Sequence, residues 1–118
     1  MIQRMSHSAI FVIDQDVAKD FYVNKLGFEV KMDESMPNGF RWLTVSPKGQ
    51  PDHQIILMKV APVPTEFADV QKVQPKDVDT IRELMKKGAF GAGVFQTADC
   101  RKTYDELKAR GVEFLSPP

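Results

Sequence analysis

Residues His7–Val30, HSAIFVIDQDVAKDFYVNKLGFEV, decide the fold of this chain. Ser8, Ile10 and Val12 alternate with His7, Ala9 and Phe11, which is the period of a strand with two unlike faces. Asp14 or Asp16 can then cap a helix, whose Val17, Ala18, Phe21, Tyr22 and Leu26 fall on one face at helical spacing. Gly27 supplies a left-handed terminator, and Phe28, Val30 and Met32 resume strand alternation.

Working outward, Pro37-Asn38-Gly39 is a turn signal, and Phe40, Trp42 and Thr44 then alternate with Arg41, Leu43 and Val45. A second turn over Pro47–Asp52 leads into Gln54–Met58 (QIILM), a short apolar strand. The order to this point is βαβββ. Ala61–Pro75 contains Pro62, Pro64 and Pro75 with little periodicity, and is expected to cross the surface as a long connection. Asp77 can cap a short helix carrying Val78, Ile81, Leu84 and Met85, ending at Lys87-Gly88. Val94–Thr97 then reads as extended chain, Asp99 caps a last helix with Tyr104 and Leu107 inward, and Val112–Phe114 reads as a strand.

With 118 residues the chain is one small domain, able to bury roughly two-thirds of the surface its unfolded form exposes. Sixteen basic and 16 acidic residues cancel, so the sequence shows no electrostatic footprint for nucleic acid or an anionic membrane. Apolar runs are short and no secretion signal opens the chain, so a cytoplasmic location is expected. A single cysteine forms no internal disulfide, which agrees with a reducing compartment.

Lys25–Val30 and Ala109–Phe114 share a helix, glycine, strand transition, a weak internal repeat of one supersecondary unit. His7 on the first strand followed by Ala18-x-x-Phe21-Tyr22-x-x-x-Leu26-Gly27-Phe28 resembles the opening module of the vicinal oxygen chelate superfamily. That superfamily includes glyoxalase I, bleomycin-resistance proteins and extradiol dioxygenases. The resemblance implies an α+β fold of βαβββ modules: a first module over 1–60, a connection with a short helix over 61–87, and a partial second module over 88–118. A second module cut off after Val112–Phe114 leaves open sheet edges, so the chain is expected either to continue or to complete itself as a homodimer, by strand or module exchange.

In metal-dependent members of that superfamily the first and last strands of each module supply ligands. His7 matches the first position, whereas the second falls near Ile56 and the third on Gly91 or Ala92. A cofactor is therefore not expected. The alternative is a divalent ion (nickel, zinc, iron or manganese) held by His7, with His53 and a carboxylate rearranged into a facial triad. Cys100 begins a helix without a flanking histidine and is read as structural. Phe11, Phe40, Trp42 and Phe95, with Arg41 and Gln54 as polar members, are the candidate lining of a mostly apolar small-molecule pocket. The leading expectation is a small-molecule-binding protein of the glyoxalase and bleomycin-resistance group. The alternatives are a metal-dependent lyase, isomerase or dioxygenase that uses His7 with ligands from a partner chain or from missing residues, and a non-catalytic protein-interaction module.

Overall fold

The computed structural model describes residues 1–62 and 72–118. Four strands, β1 (His7–Val12), β2 (Glu29–Ser35), β3 (Arg41–Ser46) and β4 (Gln54–Lys59), form one sheet in the order β1-β4-β3-β2. β1 runs parallel to β4, and β3 runs antiparallel to both β4 and β2. Together with helix α1 (Gln15–Asp20), this is the βαβββ order read from the sequence.

Asp14 is the cap of α1, its Oδ1 accepting from the backbone N–H groups of Asp16 and Val17 at 2.9 and 3.0 Å. Beyond Asp20 the helix widens into a π-helical turn over Phe21–Lys25, closed by Leu26 N–H on the Phe21 carbonyl at 2.9 Å. Gly27 then takes φ 77°, a conformation that strains any residue with a side chain, and Phe28 N–H reaches back to the Tyr22 carbonyl at 2.8 Å.

One sheet face carries the core: Leu43, Val45, Ile55 and Leu57 are buried against Ala18 and Tyr22, with Ile10, Val12, Phe21 and Leu26 packed round them. Burial pushes the Tyr22 phenol pKa up. Val17, expected on the inward helix face, is 66% exposed. The inward stripe is centred on Gln15, Ala18 and Tyr22, at steps of three and four residues, and Val17 is turned away from it.

The last two helices are α2 (Pro75–Lys86) and α3 (Cys100–Ala109). Asp77 secures the start of α2 from inside its first turn, accepting from Gln74 N–H at 2.8 Å, so Gln74 rather than Asp77 occupies the cap position. Asp99 caps α3 as expected, through Lys102 N–H at 3.0 Å. The expected connection between Ala61 and Pro75 lies largely outside the described residues.

Neither Val94–Thr97 nor Val112–Phe114 forms a strand. Alternation makes a segment able to pair but does not supply the partner, and among the described residues neither segment has a ladder neighbour. Phe95 instead meets Phe28 edge-on, with ring centroids 5.4 Å apart, and Phe114 lies on Tyr104 at 4.6 Å. The repeated glycine turn is real in space. Gly111 takes φ 91°, like Gly27, and the two turns bond reciprocally: Lys25 Nζ to the Gly111 carbonyl and Arg110 Nη1 to the Lys25 carbonyl, both at 3.4 Å.

Candidate functional site: an aromatic cavity beside the open sheet face

Strand register fixes which side chains face the site, because residues paired across a ladder share a face. His7 pairs with Gln54, Ala9 with Ile56 and Phe11 with Met58, while Thr44 pairs with both Ile56 and Met32. Trp42, two residues from Thr44, joins this face, which is the one turned away from α1. Arg41 takes the opposite face.

At the carboxyl end of β1 and β4 this face meets a cavity of about 690 Å³, within the range of small-molecule sites. Phe11 and Met58 rise from the strands, Phe40 from the end of the β2–β3 turn, and Val73, Ile81 and Phe90 from α2 and its flanks. Met36 N–H bonds to the Phe40 carbonyl at 2.6 Å and Asn38 Oδ1 accepts from Phe40 N–H at 3.0 Å, so the turn holds Phe40 in place. Arg82 Nη2 donates to the Val60 carbonyl at 3.1 Å and fastens α2 to the end of β4. Lys59, the last residue of β4, also lines the cavity.

Outside the cavity, aromatic rings continue across the open face: Phe40 to Trp42 at 6.5 Å and Trp42 to His7 at 5.9 Å between centroids. Polar groups lie beside them. Met32 N–H donates to Thr44 Oγ1 at 3.1 Å, and that hydroxyl donates to Gln54 Oε1 at 2.7 Å, although Thr44 itself is fully buried. His7 Nδ1 and Ser6 Oγ are 2.8 Å apart. His53 Nε2 is 3.0 Å from Ser8 Oγ, and its Nδ1 is 3.3 Å from the Met5 carbonyl oxygen.

Of the residues singled out in the sequence, the structure brings Phe11 and Phe40 into the cavity and places Trp42, Gln54 and His7 on the adjoining open face. Phe95 belongs to the contact with Phe28. Arg41 is held elsewhere, by Asp33 through Nε and Nη2 at 2.8 and 2.9 Å and by Asp16 through Nη1 at 2.7 Å. Met58, Lys59 and Ile81 were not singled out as lining residues. Met58 and Ile81 carried only the apolar periodicity of their elements, which marks an inward face but not what it faces.

Among the described residues, His7 and His53 do not form a triad with a carboxylate. Among the described residues no three His, Cys, Asp or Glu side chains converge, so those residues do not fit the ligand set a divalent ion requires. The hydrogen bond to Gln54 Oε1 likewise directs that oxygen to Thr44 rather than toward His7.

The Asp33 cluster has a clear electrostatic role. Hydrogen bonds from Arg41, then from Lys19 at 2.8 Å, hold the Asp33 carboxyl well below the usual carboxylate range, and Asp33 in turn raises the Arg41 guanidinium. The pairs tie α1 to β2 and β3 and are partly exposed, with Asp33 and Arg41 side chains at 24% and 21% accessibility. A lowered folded pKa stabilises above the unfolded value of about 3.9 and loses that contribution as pH falls below it. Asp33→Asn is expected to cost roughly 1 kcal/mol at neutral pH, after screening is allowed for. Wild type and variant should converge as thermal melts are taken below about pH 4. A constant gap down to pH 2 would contradict this assignment.

The sequence profile of the Glyoxalase/Bleomycin resistance protein/Dioxygenase superfamily matches residues 4–118. The chain belongs to this superfamily. Its fold, a mixed α+β structure built on the four-stranded sheet, is that of the superfamily. Among curated relatives, "Uncharacterized protein YurT" of Bacillus subtilis (strain 168) is 38% identical over 113 residues, covering 94% of this chain and 77% of YurT. The crystal structure of UcmS2 superposes with TM-score 0.86 at 40% identity, over all of this chain and 82% of UcmS2. TnmS3, an antibiotic binding protein from Streptomyces sp. CB03234, superposes with TM-score 0.63 at 28% identity, over 95% of this chain and 74% of TnmS3. No helix among the described residues is long and apolar enough to cross a membrane.

Proposed function

We propose that this superfamily member binds a flat, apolar or amphiphilic small molecule in the cavity between the open sheet face and α2, and acts by holding it. The observation that carries this reading is the aromatic lining, Phe11, Phe40 and Phe90, of a cavity of about 690 Å³. Apolar walls with few polar groups recover hydrophobic and stacking energy from a ring system without demanding one hydrogen-bond pattern. The antibiotic-binding solved neighbour supports the same reading. The binding so described needs no cofactor. We place the protein in the cytoplasm and assign it a homodimer, a setting that agrees with its balanced charge and lone exposed cysteine.

The chain has one tryptophan, and Trp42 lies 6.5 Å from the cavity residue Phe40, so its emission reports on occupancy. Titration with the neutral aromatic amine N-phenyl-1-naphthylamine is expected to saturate with a change in Trp42 fluorescence. Phe11 is 60% exposed, so Phe11→Ala should spare the fold. It is expected to weaken the probe about tenfold, the equivalent of ~1.4 kcal/mol of ring contact. Absence of saturable binding, or equal affinity in Phe11→Ala, would count against the cavity as the binding site.

A further inference from the structure

Resting on the small-molecule reading of the cavity, we propose that the ligand is an aromatic carbonyl compound, whose neutral oxygen accepts a hydrogen bond from the Gln54 amide while its rings lie against Phe40 and Trp42. Gln54 pairs with His7 and stands on the open face, in line along β4 with Ile56 and with Met58 of the cavity wall. Its Oε1 accepts from the Thr44 hydroxyl at 2.7 Å, and Thr44 pairs with Ile56. The amide is therefore drawn toward the row of Ile56, one step of about 7 Å along the face from Met58. Continuing the same register sets Trp42 opposite Met58, so the indole flanks a cavity residue.

The hydrogen-bond network fixes which end of the amide is unspent. Thr44 Oγ1 already accepts from Met32 N–H at 3.1 Å, so its own proton goes to Gln54 and the amide oxygen must face it. The reversed amide would set an N–H against an oxygen already in use and leave the hydroxyl proton unmatched. Thr44 has no exposed surface, which shelters this arrangement from water. Gln54 Nε2 is left as a donor, and it makes no hydrogen bond among the described residues. A neutral acceptor matches it better than an anion does. Glu34, the ladder partner of Trp42, brings a carboxylate to this face, whereas Arg41 and Lys59 alternate with Trp42 and Met58 toward the other one.

The test compares two neutral probes alike in size, 2-acetylnaphthalene and 2-ethylnaphthalene, each measured by its displacement of N-phenyl-1-naphthylamine. Reading the ratio of their dissociation constants within each variant cancels any general loosening of the cavity. Gln54→Met, unbranched and without a donor, is expected to shift that ratio against the ketone by about fivefold. Gln54→Glu keeps an oxygen for Thr44 but puts a second one where the donor was, and is expected to shift the ratio the same way. His7→Phe keeps a ring beside Trp42 and is expected to leave the ratio as in wild type. Phe11→Ala is expected to weaken both probes.

If Phe11→Ala weakens both probes while either Gln54 variant keeps the ratio within twofold of wild type, the cavity stands as the binding site and the carbonyl assignment is overturned. An equal shift in His7→Phe overturns it too, because the discrimination is then not made by Gln54. If neither probe displaces N-phenyl-1-naphthylamine, or Phe11→Ala changes nothing, the underlying cavity reading fails and takes the carbonyl with it.

Discussion

Leu57→Ala is expected to lower the unfolding free energy by about 3 kcal/mol, the usual cost of emptying a fully buried leucine site. Leu57 has no exposed surface, and it lies on β4 between the flanking strands with Leu43, Val45, Ala18 and Tyr22 in the same cluster. None of these neighbours can close the gap cheaply, since Leu43 and Val45 sit on the hydrogen-bonded strand β3, Ala18 on helix α1, and Tyr22 is fixed by the π-helical turn. Total stabilities of small domains are about 5–15 kcal/mol, so the variant loses a large share of what holds the sheet together. Urea unfolding should show a lower midpoint at an unchanged slope. A loss under about 1 kcal/mol would mean that the β4–α1 layer is not the core of this fold.

Gln15→Leu is expected to cost about 2 kcal/mol, by a different route. Gln15 is 9% exposed, and its Nε2 donates to the carbonyls of Leu57 at 2.9 Å and Arg41 at 3.1 Å. One side-chain amide therefore joins the first turn of α1 to both β4 and the start of β3. Leucine has similar bulk but leaves both carbonyls without that donor, at a desolvation cost that a surface glutamine would never show. The Arg41 carbonyl follows directly after Phe40, so the variant should also loosen the cavity wall. The check is a lower Tm together with weaker N-phenyl-1-naphthylamine binding. Unchanged binding at reduced Tm would separate this anchor from the cavity.

Much of the first module was legible because its signals are local. A cap at Asp14 or Asp16, the alternation of β1 and the left-handed Gly27 each depend on a few neighbouring residues; the structure has the last two and settles the cap on Asp14. The second half shows the limit of the same logic. Val94–Thr97 and Val112–Phe114 have the composition of strands, yet strand formation is a property of pairs, and these segments have no ladder neighbour among the described residues. Gln15 was invisible for a related reason: a glutamine at a helix start reads as solvent-facing until two carbonyls arrive beside it.

The sequence by itself determined the family, the βαβββ order of the first module, and an aromatic-rich set of candidates that includes Phe11 and Phe40. Only the tertiary structure decided between Arg41 and Trp42. Neighbouring residues on a strand point to opposite faces, and the pairing of Thr44 with Ile56 sends Trp42 to the open face and leaves Arg41 to Asp33 and Asp16. It also made the cavity, because Phe11, Met58, Ile81 and Phe90 are separated along the chain and meet only when the sheet and α2 pack.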